Sequence, residues 1–154
     1  KERVTFTFDF TSWPFSPDLP TGSTSSLKKD KDAYVFTHEG VKYPIEVYAP
    51  TSGYYYTGSA LRFNSTGGGY ITTPAVDGKA LVEITVFITN TTGSKKIYIS
   101  STGSDSGDVA SFDVSSSGSK STTKSLTGTL RNKSYYIYTK ANHAQIGKII
   151  LIYE

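Results

Sequence analysis

Three consecutive tyrosines, Tyr54, Tyr55 and Tyr56, stand in a chain that carries a single tryptophan, Trp13, and twelve tyrosines in all. Aromatic rings with polar neighbours are the chemistry of sugar recognition. The C–H face of a pyranose lies flat on a ring, while nearby polar groups exchange hydrogen bonds with its hydroxyls. The candidates are Trp13, Tyr54, Tyr55, Tyr56 and Tyr70, with Arg62, Asn64 and Asn142 as polar partners. Successive strand residues point to opposite faces. Tyr55 therefore opposes Tyr54 and Tyr56, and at least one ring of the run should face solvent. The competing reading makes these rings the edge of a core, with hydroxyls satisfied locally, and makes Trp13 a cover for an open end of the fold.

Other chemistry is less well supported. Glycoside hydrolysis needs two carboxyl groups at a set separation, one with a raised pKa. Asp9, Glu39, Glu46, Glu83 and Asp113 have no motif around them, and the alternation places Glu83 on the outer face of a strand. The two histidines, His38 and His143, fall in a hairpin turn and in the last loop, and no Gly-x-Ser-x-Gly elbow is present. With no cysteine, the chain has no thiolate metal site, no disulfide and no cysteine nucleophile. The expectation is a protein that is not an enzyme.

Charge excludes further classes. The net charge of +3 is scattered, and Asp30 and Asp32 interrupt the cluster of Lys28, Lys29 and Lys31. A nucleic-acid face needs a denser basic stripe with stacking aromatics, so no nucleic-acid partner is expected. No run approaches the ~18 apolar residues that span a bilayer. Asn64, Asn90 and Asn132 each begin an Asn-x-Ser/Thr pattern, which reads here as polar turns. The chain starts at Lys1 with neither an initiator Met nor a signal sequence, as a trimmed mature protein or an excised domain would.

The elements that must position these residues are strands. The opening Val4-Thr5-Phe6-Thr7-Phe8-Asp9-Phe10 alternates, with Val4, Phe6, Phe8 and Phe10 on one face. The closing Ile149-Ile150-Leu151-Ile152-Tyr153 has no polar side and suits a strand covered on both faces. The two terminal strands are expected to pair. Segments 33–37 and 41–48 flank His38-Glu39-Gly40 as a hairpin, and 60–64 and 70–73 flank a glycine-rich turn as a second one. Further strands are expected at 81–89, 95–100, 110–115, 126–130 and 134–139, with polar loops at 101–108 and 116–123. Serine and threonine make up more than a quarter of the chain, which fits strands joined by polar turns. The 154 residues fit one domain, 1–154. It is expected to be an all-β antiparallel sandwich of about ten strands with no significant helix.

Several stretches together resemble a known family. They are Gly53-Tyr54-Tyr55-Tyr56, Ala60-Leu61-Arg62-Phe63, Gly69-Tyr70-Ile71-Thr72-Thr73-Pro74-Ala75-Val76, Gly78-Lys79-Ala80-Leu81 and Gly147-Lys148-Ile149-Ile150-Leu151-Ile152-Tyr153. They resemble the galactose-binding-like jelly-roll modules of Bacteroidetes surface proteins, and Phe8-Asp9-Phe10 with Trp13-Pro14-Phe15 resembles the start of such a module. The resemblance implies a jelly roll, an extracellular or cell-surface location and a glycan partner, with no catalytic residues. Some members of the family hold a structural calcium ion near the paired terminal strands, and Asp9 and Glu154 are the acidic residues that match that place. The expected function is a non-catalytic carbohydrate-binding accessory module, monomeric and exported. The alternatives are a structural or protein-interaction module of a surface lipoprotein and, less favoured, a small glycoside hydrolase.

Overall fold

The computed structural model describes residues 2–21, 31–48, 55–63, 69–103, 106–140 and 143–154. Among these it is all-β, with twelve strands and no helix. Val4–Asp9 (β1) buries Phe6 and Phe8 and exposes Thr5 and Thr7, as the alternation requires. Lys31–His38 (β2) and Val41–Tyr48 (β3) form a hairpin through Glu39 and Gly40. Both turn residues have positive φ, 50° and 81°, which is the primed turn whose twist suits a two-residue hairpin. Tyr55–Tyr56 (β4), Leu61–Phe63 (β5), Tyr70–Thr72 (β6) and Leu81–Ile88 (β7) follow. The chain continues through Lys95–Gly103 (β8), Ser106–Val114 (β9), Ser121–Ser125 (β10), Tyr136–Tyr138 (β11) and Ala144–Tyr153 (β12).

Two six-stranded antiparallel sheets pack as a sandwich. The first runs β10-β7-β12-β5-β4, with β1 also on β12; the second runs β2-β3-β6-β11-β8-β9. The terminal strands pair as expected, from Val4 opposite Tyr153 to Asp9 opposite Lys148. One edge of β12 carries β7, and the other carries β5 and β1 end to end. Gly147 lies at that junction. A register shift there moves the buried phase from Ala144 and Ile146 to Ile149, Leu151 and Tyr153. The closing run is therefore covered on one face only: Ile150 and Ile152 are half-buried, between threonines of β1 and residues of β7.

The core fills the space between the sheets and is strongly aromatic at one end. Phe8 meets Phe15 edge-on at 5.0 Å and Phe36 at 4.9 Å. Inward isoleucines such as Ile45, Ile71, Ile84, Ile97 and Ile149, with Leu61, Leu81, Val47 and Val86, continue it.

Three further expectations are corrected. Segments 60–64 and 70–73 are not a hairpin, because β5 belongs to the first sheet and β6 to the second. Stretch 101–108 is largely strand, since β8 and β9 extend their hairpin to Gly103 and Ser106. The strand near 126–130 sits earlier, at Ser121–Ser125, where Thr122 and Thr123 pair with Val86 and Thr85 of β7. Polar Ser/Thr strands carry no apolar alternation, so hydropathy passes over them.

Candidate functional site

The outer face of the second sheet carries a belt of tyrosines. In β3, β6, β8 and β11 an inward aliphatic residue alternates with an outward tyrosine: Val47 with Tyr48, Ile71 with Tyr70, Ile97 and Ile99 with Tyr98, and Ile137 with Tyr136 and Tyr138. Period-two geometry therefore sends five rings to one face. Register brings them together, because Tyr48 opposes Tyr70, Tyr136 opposes Thr72 and Ser100, and Tyr138 opposes Tyr98. Tyr48 and Tyr70 have ring centroids 5.5 Å apart, and Tyr70 meets Tyr136 edge-on at 4.8 Å. Tyr98 stacks on Tyr138 at 5.3 Å.

Polar groups sit among the rings. The Tyr70 hydroxyl donates to Glu46 Oε2 at 3.1 Å. Burial, and then that bond to Glu46, push the Tyr70 phenol well above its ordinary pKa. The Tyr138 hydroxyl donates to Asp108 Oδ1, and Lys140 Nζ lies 3.2 Å from Asp108 Oδ2 and 4.5 Å from the Tyr98 centroid. Tyr70 and Tyr138 are buried, while Tyr48, Tyr98 and Tyr136 are half-buried and present ring surface to solvent.

A depression of about 260 Å³ adjoins Tyr136, lined also by Ala33, Pro44, Glu46, Thr72 and Ser134. Its origin is local. β3 pairs with β6 only at Val47 and Tyr48, and Pro44 has no N–H to extend a ladder. The Glu46 N–H instead donates to Thr72 Oγ1 at 2.9 Å, so the sheet parts there. The volume lies just below the range of drug-sized pockets, ~300–1,000 Å³, and suits a single ring-sized ligand unit.

Of the residues singled out in the sequence, only Tyr70 belongs to this belt. Trp13 is half-buried in the core end, 5.1 Å from both Phe15 and Tyr56 and 5.4 Å from Tyr34, and its Nε1 donates to the Pro17 carbonyl at 3.1 Å. Tyr56 is buried, with its hydroxyl 3.0 Å from the carbonyls of Phe10 and Gly58. Tyr55 and Arg62 do meet, but on the outer face of the first sheet: Arg62 Nη1 donates to the Tyr55 hydroxyl at 2.6 Å. Tyr54, Asn64 and Asn142 lie outside the described residues. The belt members Tyr48, Tyr98, Tyr136 and Tyr138 were missed. The signal for them was a tyrosine in antiphase to isoleucine or valine, repeated in four separate strands.

Asp9 and Glu154 do not share a site. They occupy opposite ends of the β1–β12 ladder, about 20 Å apart at ~3.4 Å per residue, so no single ion touches both. Asp9 Oδ1 accepts from the Thr11 N–H at 3.1 Å and the Thr11 hydroxyl at 2.8 Å, which hold its carboxyl below the usual range. Glu154 Oε2 accepts from Arg3 Nε at 2.9 Å. Among the described residues no group of three His, Asp or Glu side chains is placed to hold a metal ion.

The histidines have different surroundings. His38 lies 3.2 Å from Glu39 Oε2, with its ring 4.6 Å from that of Phe6. His143 is half-buried near Arg62 and Lys95; burial first, then those two cations, lower its pKa.

No protein-family model matches the chain, and no curated protein matches it.

Proposed function

We propose that this domain is a non-catalytic carbohydrate-binding module whose binding surface is the tyrosine belt on the outer face of the second sheet. The observation that carries this reading is the coincidence of half-buried rings, a ring-sized depression and committed polar groups on one face. Tyr136 supplies a face for a pyranose, and Glu46, Thr72 and Ser134 supply acceptors and donors at the rim of the depression. The resemblance to galactose-binding-like jelly-roll modules supports the same reading, and with it a monomeric accessory domain of an exported bacterial surface protein. Binding to such an open face is shallow, in the millimolar to micromolar range that corresponds to about 4–8 kcal/mol.

A second reading rests on a different observation. The hydroxyls of Tyr70 and Tyr138 are already engaged by Glu46 and Asp108, and both rings are buried. A belt so packed also suits a structural or protein-interaction module of a surface lipoprotein with no sugar site.

Affinity electrophoresis through plant, host and microbial polysaccharides separates the two. The wild type should be retarded by one polysaccharide class, and Tyr136→Ala, if folded by circular dichroism, should run unretarded. Free migration of the wild type in every polysaccharide would favour the structural module. Trp13, packed against the core, is the wrong probe for this purpose.

A further inference from the structure

Among the described residues Glu46 is the only charged group lining the depression beside Tyr136, and no ion pair involves it. It stands between Ile45 and Val47, both buried, so its side chain leaves β3 on the outer face of the second sheet. Register sets Glu46 opposite Ala33 of β2, while Thr72 of β6 accepts its N–H and opposes Tyr136 of β11. Ala33, Glu46, Thr72 and Tyr136 thus form one row across neighbouring strands, and all of them line the depression. Glu46 and Tyr136 are separated by β6 alone, a backbone distance of about 10 Å at ~4.8 Å per strand spacing. Their side chains bracket a space the width of one sugar ring.

The Glu46 carboxylate is only half engaged. Oε2 accepts from the Tyr70 hydroxyl, which fixes the group in place, and no donor among the described residues meets Oε1. The side chain is half-buried, so part of its hydration is lost, and a charge-assisted bond to a cation compensates that loss best. The surrounding wall supplies none, since Pro44, Ile45, Thr72 and Ser134 are neutral. Lys140, the cation of the belt, is held away beside Tyr98 by Asp108. Ala33 is exposed and small, so the approach to Glu46 from β2 is open. The face of the Tyr136 ring attracts a cation as well. An acidic ligand meets repulsion at the same place, and a neutral one gains only ordinary hydrogen bonds.

We infer that the depression selects a hexosamine unit with a free, protonated amine, as in a deacetylated aminopolysaccharide, and that Glu46 sets this specificity; the assignment rests on the glycan-binding reading above. The pyranose lies against Tyr136, its ammonium donates to Glu46 Oε1, and the Ser134 hydroxyl bonds a ring substituent. An N-acetylated unit brings no charge to Glu46, and a hexuronate brings a second negative one, so the depression disfavours both.

The test is an NMR titration of the Tyr136 ring in the whole domain, at a mildly acidic pH that keeps the amine protonated. The ligands are the glucosamine trisaccharide, its N-acetylated form, the amine-free cellotriose and butylamine. The glucosamine trisaccharide should bind roughly tenfold or more tighter than either neutral trisaccharide, the margin of a charge-assisted bond. Glu46→Gln, which keeps an acceptor for Tyr70 and loses the charge, should erase that margin, with folding checked by its amide spectrum. In the wild type the margin should shrink as NaCl is added, a readout that needs no variant. A margin that survives in Glu46→Gln, or one indifferent to salt, overturns the inference. Butylamine that binds as tightly as the glucosamine trisaccharide overturns it too, leaving a site for amines at large. Neutral trisaccharides that move Tyr136 with the same affinity as the charged one sink this inference and leave the belt reading standing. If no sugar moves Tyr136, this inference falls, and the polysaccharide electrophoresis decides the belt.

Discussion

Tyr98 and Tyr138 lie ring on ring, their planes inclined by 24° and their centroids 5.3 Å apart. The pair joins β8 to β11 across the sheet, and Lys140 is placed over both rings, 4.5 Å from one centroid and 5.7 Å from the other. Asp108 holds the assembly from the side, through the Tyr138 hydroxyl and Lys140 Nζ. One end of the belt is thus ordered in the free protein, which would lower the entropy cost of the glycan binding proposed above.

A double-mutant cycle measures that order. Tyr98→Ala and Lys140→Ala, alone and combined, should lose less stability together than the sum of their separate losses in urea unfolding, as a cation–π contact between them requires. Additive losses would mean that the ammonium adds nothing to the rings beneath it.

Trp13→Ala should lower stability by about 3 kcal/mol, the low end for truncating a large aromatic, since the ring is only half-buried. The loss includes the bond to the Pro17 carbonyl. Urea denaturation followed by far-UV circular dichroism checks it. A midpoint equal to the wild type's would return Trp13 to the list of exposed binding residues.

Gly40→Ala should cost about 1 kcal/mol. A Cβ there meets nothing within 4 Å, so the cost is one of backbone conformation, at φ 81°. A thermal shift of a few degrees downward is expected.

Acid should weaken the fold through His143. Its folded pKa lies below the ordinary histidine value of about 6.5, because burial and the charges of Arg62 and Lys95 disfavour the imidazolium. The unfolded chain therefore binds the proton more readily. Stability from this group is full above about pH 6.5 and is lost as the pH falls from there through the folded value. Urea midpoints between pH 7.5 and 5 should fall less steeply in His143→Gln. Identical slopes in the two proteins would place the acid sensitivity elsewhere.

The fold was legible where hydropathy alternates. β1, the β2–β3 hairpin, β7 and the pairing of the terminal strands all follow from inward Phe, Ile and Val. What escaped was set by long-range packing. Whether β5 and β6 turn back on each other or part into different sheets depends on partners far along the chain, β12 for one and β3 and β11 for the other. The site was legible only in kind. The belt shares its residue type with the run Tyr54-Tyr55-Tyr56, but that run drew notice by adjacency, whereas a face is built from residues two apart in strands that sequence does not align. Tyr56 shows the cost of that, since its ring lies in the core with its hydroxyl between two carbonyls.

The position of β12 between β7 and the tandem of β5 and β1 bears on the order of folding. Val4 finds its partner only at Tyr153, and the core of the first sheet has no continuous ladder without Ala144–Tyr153. Loop closure over such separations is slow. A ribosome delivering this chain would release β1, β5 and β7 long before the strand that unites them, so none of the three meets its shared partner until Ala144–Tyr153 emerges. Joining of the first sheet then waits on β12, and removing that strand would divide the sheet into separate pieces rather than shorten it.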